Sequence, residues 1–419
     1  MNTELKGRDC PERGEPKHMA KSKKRRTKKQ LPLIAVLVVL LVFILIVSLA
    51  FAGLIPGVSV SIKDGKLVFG TETEAPTETE TSTRENSSVI VPEGGSLEIH
   101  FPELGNYHAG DCIYIKAGDN DILIDGGSTY SSVTTIQDYL SDYVTDGKLE
   151  YVIVTHAHKD HYACFAGNQT YDSLFDLYEC ETIIDFANTT EKTKETKIYQ
   201  NYEKQLAEAV AEGATHYTAA ECITDGHSEF DLGYGITLTI LDSYYYYNVS
   251  KNENDHSVCS MISYGEDHFL FLGDLEGNTA TNSSKAEHYL IERNNLPEVT
   301  LYKASHHGSN TSSSGELLSV IRPEIVVVPC VAGSPEYTKV NANMFPTQNT
   351  IDTISTYTSQ VYVTSLYDPD APGKVTSMNG NIVIRSDGKN VTVHCSASDT
   401  LLKDTEWFKE NRTCPDAWR

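Results

Sequence analysis

Basic side chains are scarce in most of this 419-residue chain, which has 34 Lys and Arg against 58 Asp and Glu and a formal charge of −24. The first 30 residues hold 11 basic and 4 acidic side chains, so the other 389 hold 23 and 54, a net charge of −31. This larger part lacks the basic stripe that is typical of proteins that bind long nucleic acids. The split in charge between the two ends indicates two compartments.

The chain also lacks a collagen-like or coiled-coil composition, and its 40% hydrophobic content excludes a wholly disordered protein. It has one long hydrophobic run, residues 31–55, without a charged side chain. At about 1.5 Å per residue, this run is long enough to cross the roughly 30 Å hydrocarbon core of a membrane. The basic cluster at 21–29 predicts that the N-terminus stays cytoplasmic. The alternative is a cleaved signal peptide, with Ala50-Phe51-Ala52 as a small-residue cleavage site.

These features predict a single-pass protein of the cell membrane, with a basic cytoplasmic tail (1–30), a transmembrane helix (31–55) and an extracellular remainder. Residues 56–88 form an acidic, Thr/Glu/Ser-rich linker. Its first part, 58–70, alternates apolar and polar residues around Asp64-Gly65, which predicts a hairpin. The stretch 71–88 has almost no apolar residues to offset its ordering entropy, which predicts a disordered stalk. A folded domain is predicted at 89–396, followed by a C-terminal tail at 397–419.

Short apolar strands alternate with amphipathic helices in the predicted domain. Strands are expected at 112–116, 121–125, 151–155, 236–241, 258–264, 268–272, 299–303 and 325–329, and helices at 131–144, 198–212, 284–293, 315–321 and 348–357. Strand, helix and buried strand in succession indicate a layered α/β fold with covered sheets.

Residues 156–161 (HAHKDH) follow directly on one of these buried strands. Four side chains with metal-binding atoms, His156, His158, Asp160 and His161, fall within these six residues. As packing alone they are hard to explain, because a carboxylate beside three imidazoles is costly to bury without a metal ion or hydrogen bonds. The motif therefore predicts a metal site.

Two later strand ends carry further ligand types: Asp274 after one strand, and the His306-His307 pair after another. Imidazole and carboxylate ligands without thiolate are typical of catalytic zinc sites with an open position, and manganese is the alternative. Taken alone, Asp274 is equally well an ordinary turn residue. An even number of cysteines after the hydrophobic run permits disulfides such as Cys395–Cys414, whereas Cys112 and Cys259 fit buried free thiols equally well.

The ordered set of these motifs resembles the metallo-β-lactamase superfamily and, more narrowly, its ComEC-like branch of DNA-uptake domains. The resemblance spans about residues 96–394. It is carried by 109–113 (AGDCI), 124–127 (IDGG), 156–161 (HAHKDH), 254–257 (NDHS), 273–274 (GD) and 306–309 (HHGS). It implies an αββα four-layer sandwich and a hydrolase with one or two Zn²⁺ ions, or Mn²⁺. The multi-span ComEC channel has no counterpart here.

The resemblance also implies roles for single residues. The metal ligands would be His156, His158, Asp160, His161, Asp274 and His306. Asp160 and Asp274 would also act in catalysis, Asp274 as the bridging carboxylate. His307 would be the proton donor, although which of His306 and His307 is the ligand and which the donor stays open. The superfamily's third histidine of the first metal site is replaced here by Asn254, with His256 and His227 as alternative suppliers, and Ser309 is a further candidate for a metal or substrate contact.

The activity implied by the resemblance is attack of metal-bound hydroxide on a phosphodiester, with nucleic acid as one candidate substrate. The net charge of −31 opposes the binding of a polyanion. A wall-polymer or lipid phosphodiester, or a lactone or thioester, is therefore kept as an alternative. A second alternative is a tethered binding module without catalytic activity. No protein partner follows from the sequence.

Overall fold

A computed structural model describes residues 59–63, 66–70 and 95–419. The predicted transmembrane helix and the stalk at 71–88 lie outside these described residues. Within the described ranges, no helix combines the length and the apolar character that a membrane crossing needs. The predicted hairpin is confirmed: β1 (Ser59–Lys63) pairs antiparallel with β2 (Lys66–Gly70). It belongs to a compact unit distinct from residues 87–419.

Two eight-stranded sheets form the larger unit. The strands of the first sheet are β3 (Leu97–Phe101), β4 (Ile113–Ala117), β5 (Asn120–Ile124), β6 (Lys148–Val154), β7 (Glu179–Asp185), β8 (Thr215–Thr218), β17 (Ile382–Ser386) and β18 (Val391–Cys395). The strands of the second are β9 (Glu229–Asp231), β10 (Ile236–Leu241), β11 (Cys259–Tyr264), β12 (Asp267–Phe271), β13 (Leu301–Lys303), β14 (Ile325–Ala332), β15 (Gln360–Tyr367) and β16 (Val375–Ser377). Their orders are β18-β17-β3-β4-β5-β6-β7-β8 and β16-β15-β14-β13-β12-β11-β10-β9.

The α-helices lie between these strands and after them. They are α1 (Ser132–Leu140), α2 (Lys159–Ala166), α3 (Leu174–Leu177), α4 (Glu191–Lys194), α5 (Lys197–Glu212), α6 (Ala219–Thr224), α7 (Ala286–Arg293), α8 (Gly315–Ile321), α9 (Gln348–Ile354) and α10 (Glu406–Asn411). The helices predicted at 131–144 and 348–357 end earlier than expected, at Leu140 and Ile354.

Alternation along β12 shows how the layers are built. Phe269 and Phe271 belong to a core that contains side chains of both sheets, whereas Leu270 and Leu272 belong to a second core shared with α7, α8 and α9. Successive strand residues point to opposite faces, so the second sheet packs on the first sheet with one face and on helices with the other. The predicted mixed α/β fold is confirmed, and the two sheets are consistent with the four-layer sandwich.

Parallel pairing brings the ends of the motif-bearing strands together. β5, β6, β7 and β8 are parallel neighbours in the first sheet, and β12, β13, β14 and β15 are parallel neighbours in the second. The carboxyl ends of parallel strands lie at one edge of a sheet, where ligands bind in open α/β sheets. Residues 156–161 follow β6, Asp274 follows β12, and His306-His307 follows β13.

The structure describes two features of the C-terminal part that the sequence left open. The tail at 397–419 belongs to the domain, because Leu402, Phe408 and Trp418 are buried in the second core. The Cys395–Cys414 disulfide is not formed, and the eight described cysteines are free thiols. Cys112 and Cys259 are buried free thiols, which is one of the two alternatives that the sequence left open.

Candidate metal centre

The first group of ligand atoms comes from the turn between β6 and α2. His158 has an extended backbone (φ −93°, ψ 143°) and caps the N-terminus of α2, so the chain turns sharply after the strand. As a result, Nε2 of His156 and Nδ1 of His158 lie 3.1 Å apart. Burial and the neighbouring His161 lower the pKa of His156 well below its ordinary value. A neutral imidazole is the form that binds a metal ion.

The second group joins residues from three strand ends. The ligand atoms of Asp160, His161, Asp274 and His307 all lie within 4.8 Å of one another. Oδ2 of Asp274 is 3.2 Å from Nε2 of His161 and 3.5 Å from Nε2 of His307. The same nitrogen of His307 is 3.6 Å from Oδ2 of Asp160. Two imidazoles and two carboxylates converging in this way suit Zn²⁺ or Mn²⁺.

The hydrogen bonding of the two histidines supports this fit. Nε2 of His161 and Nε2 of His307 are buried and have no hydrogen-bond partner. Buried polar atoms without a partner are rare in folded proteins, and a metal ion would satisfy both. The other ring nitrogen of each is held from behind, Nδ1 of His161 by Oδ2 of Asp125 (2.7 Å) and Nδ1 of His307 by the carbonyl of Pro329 (3.1 Å). Metal-binding histidines are oriented by such contacts.

A buried lysine beside this group was not anticipated from the sequence. The Lys303 ammonium pairs with Asp111, lies 3.5 Å from Oδ1 of Asp274 and donates to the carbonyl of Gly273 (2.8 Å). Burial disfavours its charge, but Asp111 and Asp274 outweigh burial and raise its pKa. The sequence offered one indication of this buried charge, which is that Lys303 ends an otherwise apolar strand. Lys303 ties the loop after β12 to the strand that leads to His307.

Part of the chain that carries this geometry is similar in sequence to known proteins. Residues 105–167, which include the HAHKDH segment, match the family model of the metallo-beta-lactamase superfamily. The superfamily prediction is supported. The chain is also 30% identical over 80 residues to "Recombination protein 2" of Haemophilus influenzae, an alignment that covers 19% of this chain and 9% of that protein. The chain therefore spans less than a tenth of the length of this relative.

Two solved structures are similar to this chain at low sequence identity. The metallo-beta-lactamase fold protein YhfI from Bacillus subtilis has 14% identity and a TM-score of 0.36, with 67% of this chain and 99% of that chain covered. Unliganded yeast PDE1 has 10% identity and a TM-score of 0.37, with 65% of this chain and 98% of that chain covered. Neither similarity bears on the substrate.

The His306-His307 pair directs its two rings to different places. Both residues have left-handed backbone angles (φ 49° and 53°), and this strained turn directs His307, not His306, into the group with Asp160 and Asp274. His306 instead places Nδ1 3.2 Å from Oε1 of Glu276, with Nε2 3.9 Å from Oδ2 of Asp274. The sequence left open which of the two is the ligand, and in this geometry His307 joins the ligand group while His306 lies beside it. Nothing in the dipeptide itself distinguishes the two.

Asn254 stands where the resemblance places a third histidine of the first metal site. Its Nδ2 donates to Oε1 of Glu276 (3.0 Å), and its Oδ1 is buried without a hydrogen-bond partner. His256 is not available, because its Nε2 accepts a hydrogen bond from the amide of Ser250 (2.8 Å) and its Nδ1 faces Glu253 at 3.4 Å.

His227 and Ser309 are the two remaining candidates, and neither belongs to the group of ligand atoms around Asp274. His227 is exposed and packs on Tyr217, with ring centroids 5.3 Å apart. Ser309 places its hydroxyl 3.0 Å from that of Thr311, within the turn that precedes α8. Both are therefore structural residues rather than ligands in this geometry.

The carboxylates give the site a strong preference for a cation. Burial disfavours the charge on Asp274, but the rings of His161 and His307 hold its pKa well below the ordinary value. Burial likewise disfavours charge on His307, yet Asp274 and Asp111 raise its pKa to about 10. Opposite charges at such short range stabilise the ionised forms. The carboxylates therefore stay ionised at neutral pH and attract a cation, and a metal ion bound by His307 would displace the proton of that ring.

Proposed function

We propose that this domain is a metal-dependent hydrolase that cleaves phosphodiester bonds. The observation that carries the proposal is the convergence of three ligand residues, Asp160, His161 and His307, on Asp274, next to the His156–His158 pair. A divalent ion bound there supplies Lewis-acid polarisation of the phosphoryl group and a hydroxide nucleophile near neutral pH. In the first position His156 and His158 would hold the ion. In the second position Asp160, His161 and His307 would hold it.

Asp274 is proposed as the bridging carboxylate between the two positions. Its Oδ2 lies closest to His161 and His307, and Lys303 contacts its other oxygen. Because Lys303 contacts Oδ1, the other oxygen, Oδ2, faces the ligand atoms of His161 and His307 and is free to bind metal. Removal of this one side chain therefore affects both positions.

His306 is proposed to take the proton-transfer role that the sequence assigned to His307. Its Nδ1 is held by Glu276, and its Nε2 faces Asp274 from the more open side, where the side chain is 23% exposed. A histidine oriented by a carboxylate, with its second nitrogen facing the reacting groups, is the usual arrangement for general acid–base catalysis. His306 can therefore protonate a leaving group, whereas His307 is fully buried.

Two exposed lysines lie next to site residues in the sequence and favour an anionic substrate. Lys159 precedes Asp160, and Lys339 lies two residues after Tyr337, whose hydroxyl contacts Asp160. Both lysines are exposed, and neither forms an ion pair with another described residue. They supply local positive charge to a strongly acidic domain, which supports a phosphodiester over a neutral lactone or thioester.

The name "Recombination protein 2" of the Haemophilus influenzae relative favours nucleic acid among the phosphodiesters. The net charge of −31 in residues 31–419 favours a shorter or less highly charged phosphodiester, such as one in a wall polymer or lipid head group. Of these substrates we propose nucleic acid first, and a wall-polymer or lipid phosphodiester as the second candidate.

The test is hydrolysis by the purified protein supplied with Zn²⁺ or Mn²⁺. We expect cleavage of bis(p-nitrophenyl) phosphate and of linear DNA, slower cleavage of p-nitrophenyl acetate, and loss of activity in chelator. His158→Ala is expected to lower the metal content and the activity, whereas His227→Ala, which alters an exposed ring away from the site, should match the wild type. Unchanged metal and activity in His158→Ala would show that the assigned site is wrong. Cleavage of the acetate alone would favour the lactone and thioester alternative.

Attachment to the membrane through residues 31–55, with the enzyme outside the cell, is also a proposal. It is supported by the uncharged run and the basic cluster before it. Western blotting of membrane and culture-medium fractions is expected to find the full-length chain in the membrane fraction. A soluble band that begins near residue 53 would support signal-peptide cleavage instead.

A further inference from the structure

We propose that Tyr337 is a positioning residue of the metal site, which holds Asp160 in its ligating orientation, and that the C-terminal segment 402–418 holds the loop that carries Tyr337. The inference rests on the proposed metal-dependent function. The Tyr337 hydroxyl donates to Oδ2 of Asp160 at 3.0 Å, and this oxygen is the one that lies 3.6 Å from Nε2 of His307. Tyr337 thus contacts the metal group through one of its ligand atoms.

Asp160 needs such a partner more than the other members of its group do. Its side chain is 19% exposed, against 2% for Asp274 and 0% for His161 and His307. It projects from the first turn of α2 at the open edge of the site, whereas the two histidines are held from behind by buried groups. The hydrogen bond from Tyr337 therefore orients the Asp160 carboxylate, just as the hydrogen bond with Asp125 orients the His161 ring.

The loop that carries Tyr337, residues 333–346, follows β14 and is attached to the first sheet's side of the site. The Glu336 carboxylate accepts from the ring of His108 at 2.5 Å and from the amide of Ala109 at 2.8 Å. Farther along the loop, the Phe345 ring lies 5.5 Å from the Tyr337 ring and 6.2 Å from that of His307, centroid to centroid. Tyr337 is thus fixed at its base and along one face, although its side chain is 57% exposed.

The C-terminal segment attaches to the other end of the same loop through Arg412. The buried guanidinium donates to the carbonyls of Pro346 (3.0 Å) and Met344 (2.7 Å) and to Oδ1 of Asn341 (2.9 Å). It also lies over the ring of Trp407 at 4.6 Å. Several hydrogen bonds from one planar guanidinium hold a loop in one geometry. Residues 402–418 therefore stabilise the loop that presents Tyr337 to Asp160.

The test is metal affinity, measured by competition between the full-length protein and a chromogenic chelator for Zn²⁺ and, separately, for Mn²⁺. Loss of a partner that orients a metal ligand typically weakens metal binding about 10- to 100-fold, and we expect Tyr337→Phe to fall in this range. Tyr234→Phe is the matched control, because Tyr234 is an exposed tyrosine in the turn between β9 and β10. Arg412→Met should weaken metal binding in the same direction and by less, since the phenol is retained.

A second readout separates positioning from general stability. Tyr337→Phe should unfold at the same temperature as the wild type in the presence of chelator, because the hydroxyl is the only group removed. If the wild type binds metal and Tyr337→Phe binds it within about twofold of the wild type, the role of Tyr337 is refuted and the proposed function stands. If the wild type itself binds no metal, both the proposed function and this inference are overturned.

Discussion

The Asp274→Asn variant is expected to lose about a thousandfold or more in kcat/KM for bis(p-nitrophenyl) phosphate. Asp274 is the carboxylate that faces His161 and His307, and the amide that replaces it brings no negative charge. Metal ions contribute several kcal/mol of transition-state stabilisation, and each 1.36 kcal/mol changes the rate about tenfold. The metal content, measured by elemental analysis, should fall together with the rate.

Asp242→Asn provides the matched control for this loss. Asp242 pairs with Arg293 at 2.9 Å, outside both metal groups, so the variant should keep the activity and metal content of the wild type. A rate for Asp274→Asn within tenfold of the wild type, with metal still bound, would remove Asp274 from the bridging role. Loss of metal without loss of activity would contradict a metal-dependent reaction.

The fold was predictable where its signals are local. The apolar run before residue 156 and the amphipathic pattern of α5 depend on neighbouring residues, and both are present in the structure. The pairing of β3 with β17 was not predicted, because Leu97–Phe101 and Ile382–Ser386 are far apart in the chain. Periodicity indicates a strand but does not identify its partner. The same limit explains why residues 397–419 were predicted to be a tail.

The candidate site was predictable as a set of ligand types, but not as a geometry. Short motifs such as HAHKDH identify imidazoles and carboxylates, whereas the direction of each ring depends on the backbone. The left-handed conformations of His306 and His307 direct His307 into the ligand group, a choice that the sequence left open. Tyr337 and Lys303 belong to no motif in the sequence. Tyr337 lies in the loop after β14 and Lys303 at the end of the buried strand β13. Their contacts with the site depend on the tertiary structure and cannot be predicted from a local pattern.

The Lys303→Met variant is expected to destabilise the domain by about 3–5 kcal/mol, which is the usual cost of removing one partner of a buried ion pair. Lys303 and Asp111 are both almost completely buried, and their charges pair directly. Methionine has a similar length and packs well, so the loss comes from the Asp111 carboxylate, which keeps only the rings of His307 (3.3 Å) and His161 (3.8 Å) as partners of opposite charge. Urea unfolding in chelator, followed by circular dichroism, measures the effect without a contribution from metal binding.

The double variant Lys303→Met/Asp111→Asn distinguishes charge from packing. Neutral replacement of both partners of a buried pair is often close to neutral in stability, so the double variant should recover most of the loss. Lys204, which pairs with Glu208 on the exposed face of α5, gives a surface control, and Lys204→Met should change the free energy of unfolding by less than about 1 kcal/mol. Equal destabilisation in the single and double variants would mean that the fit of the lysine stem, rather than its charge, stabilises the strand that leads to His307.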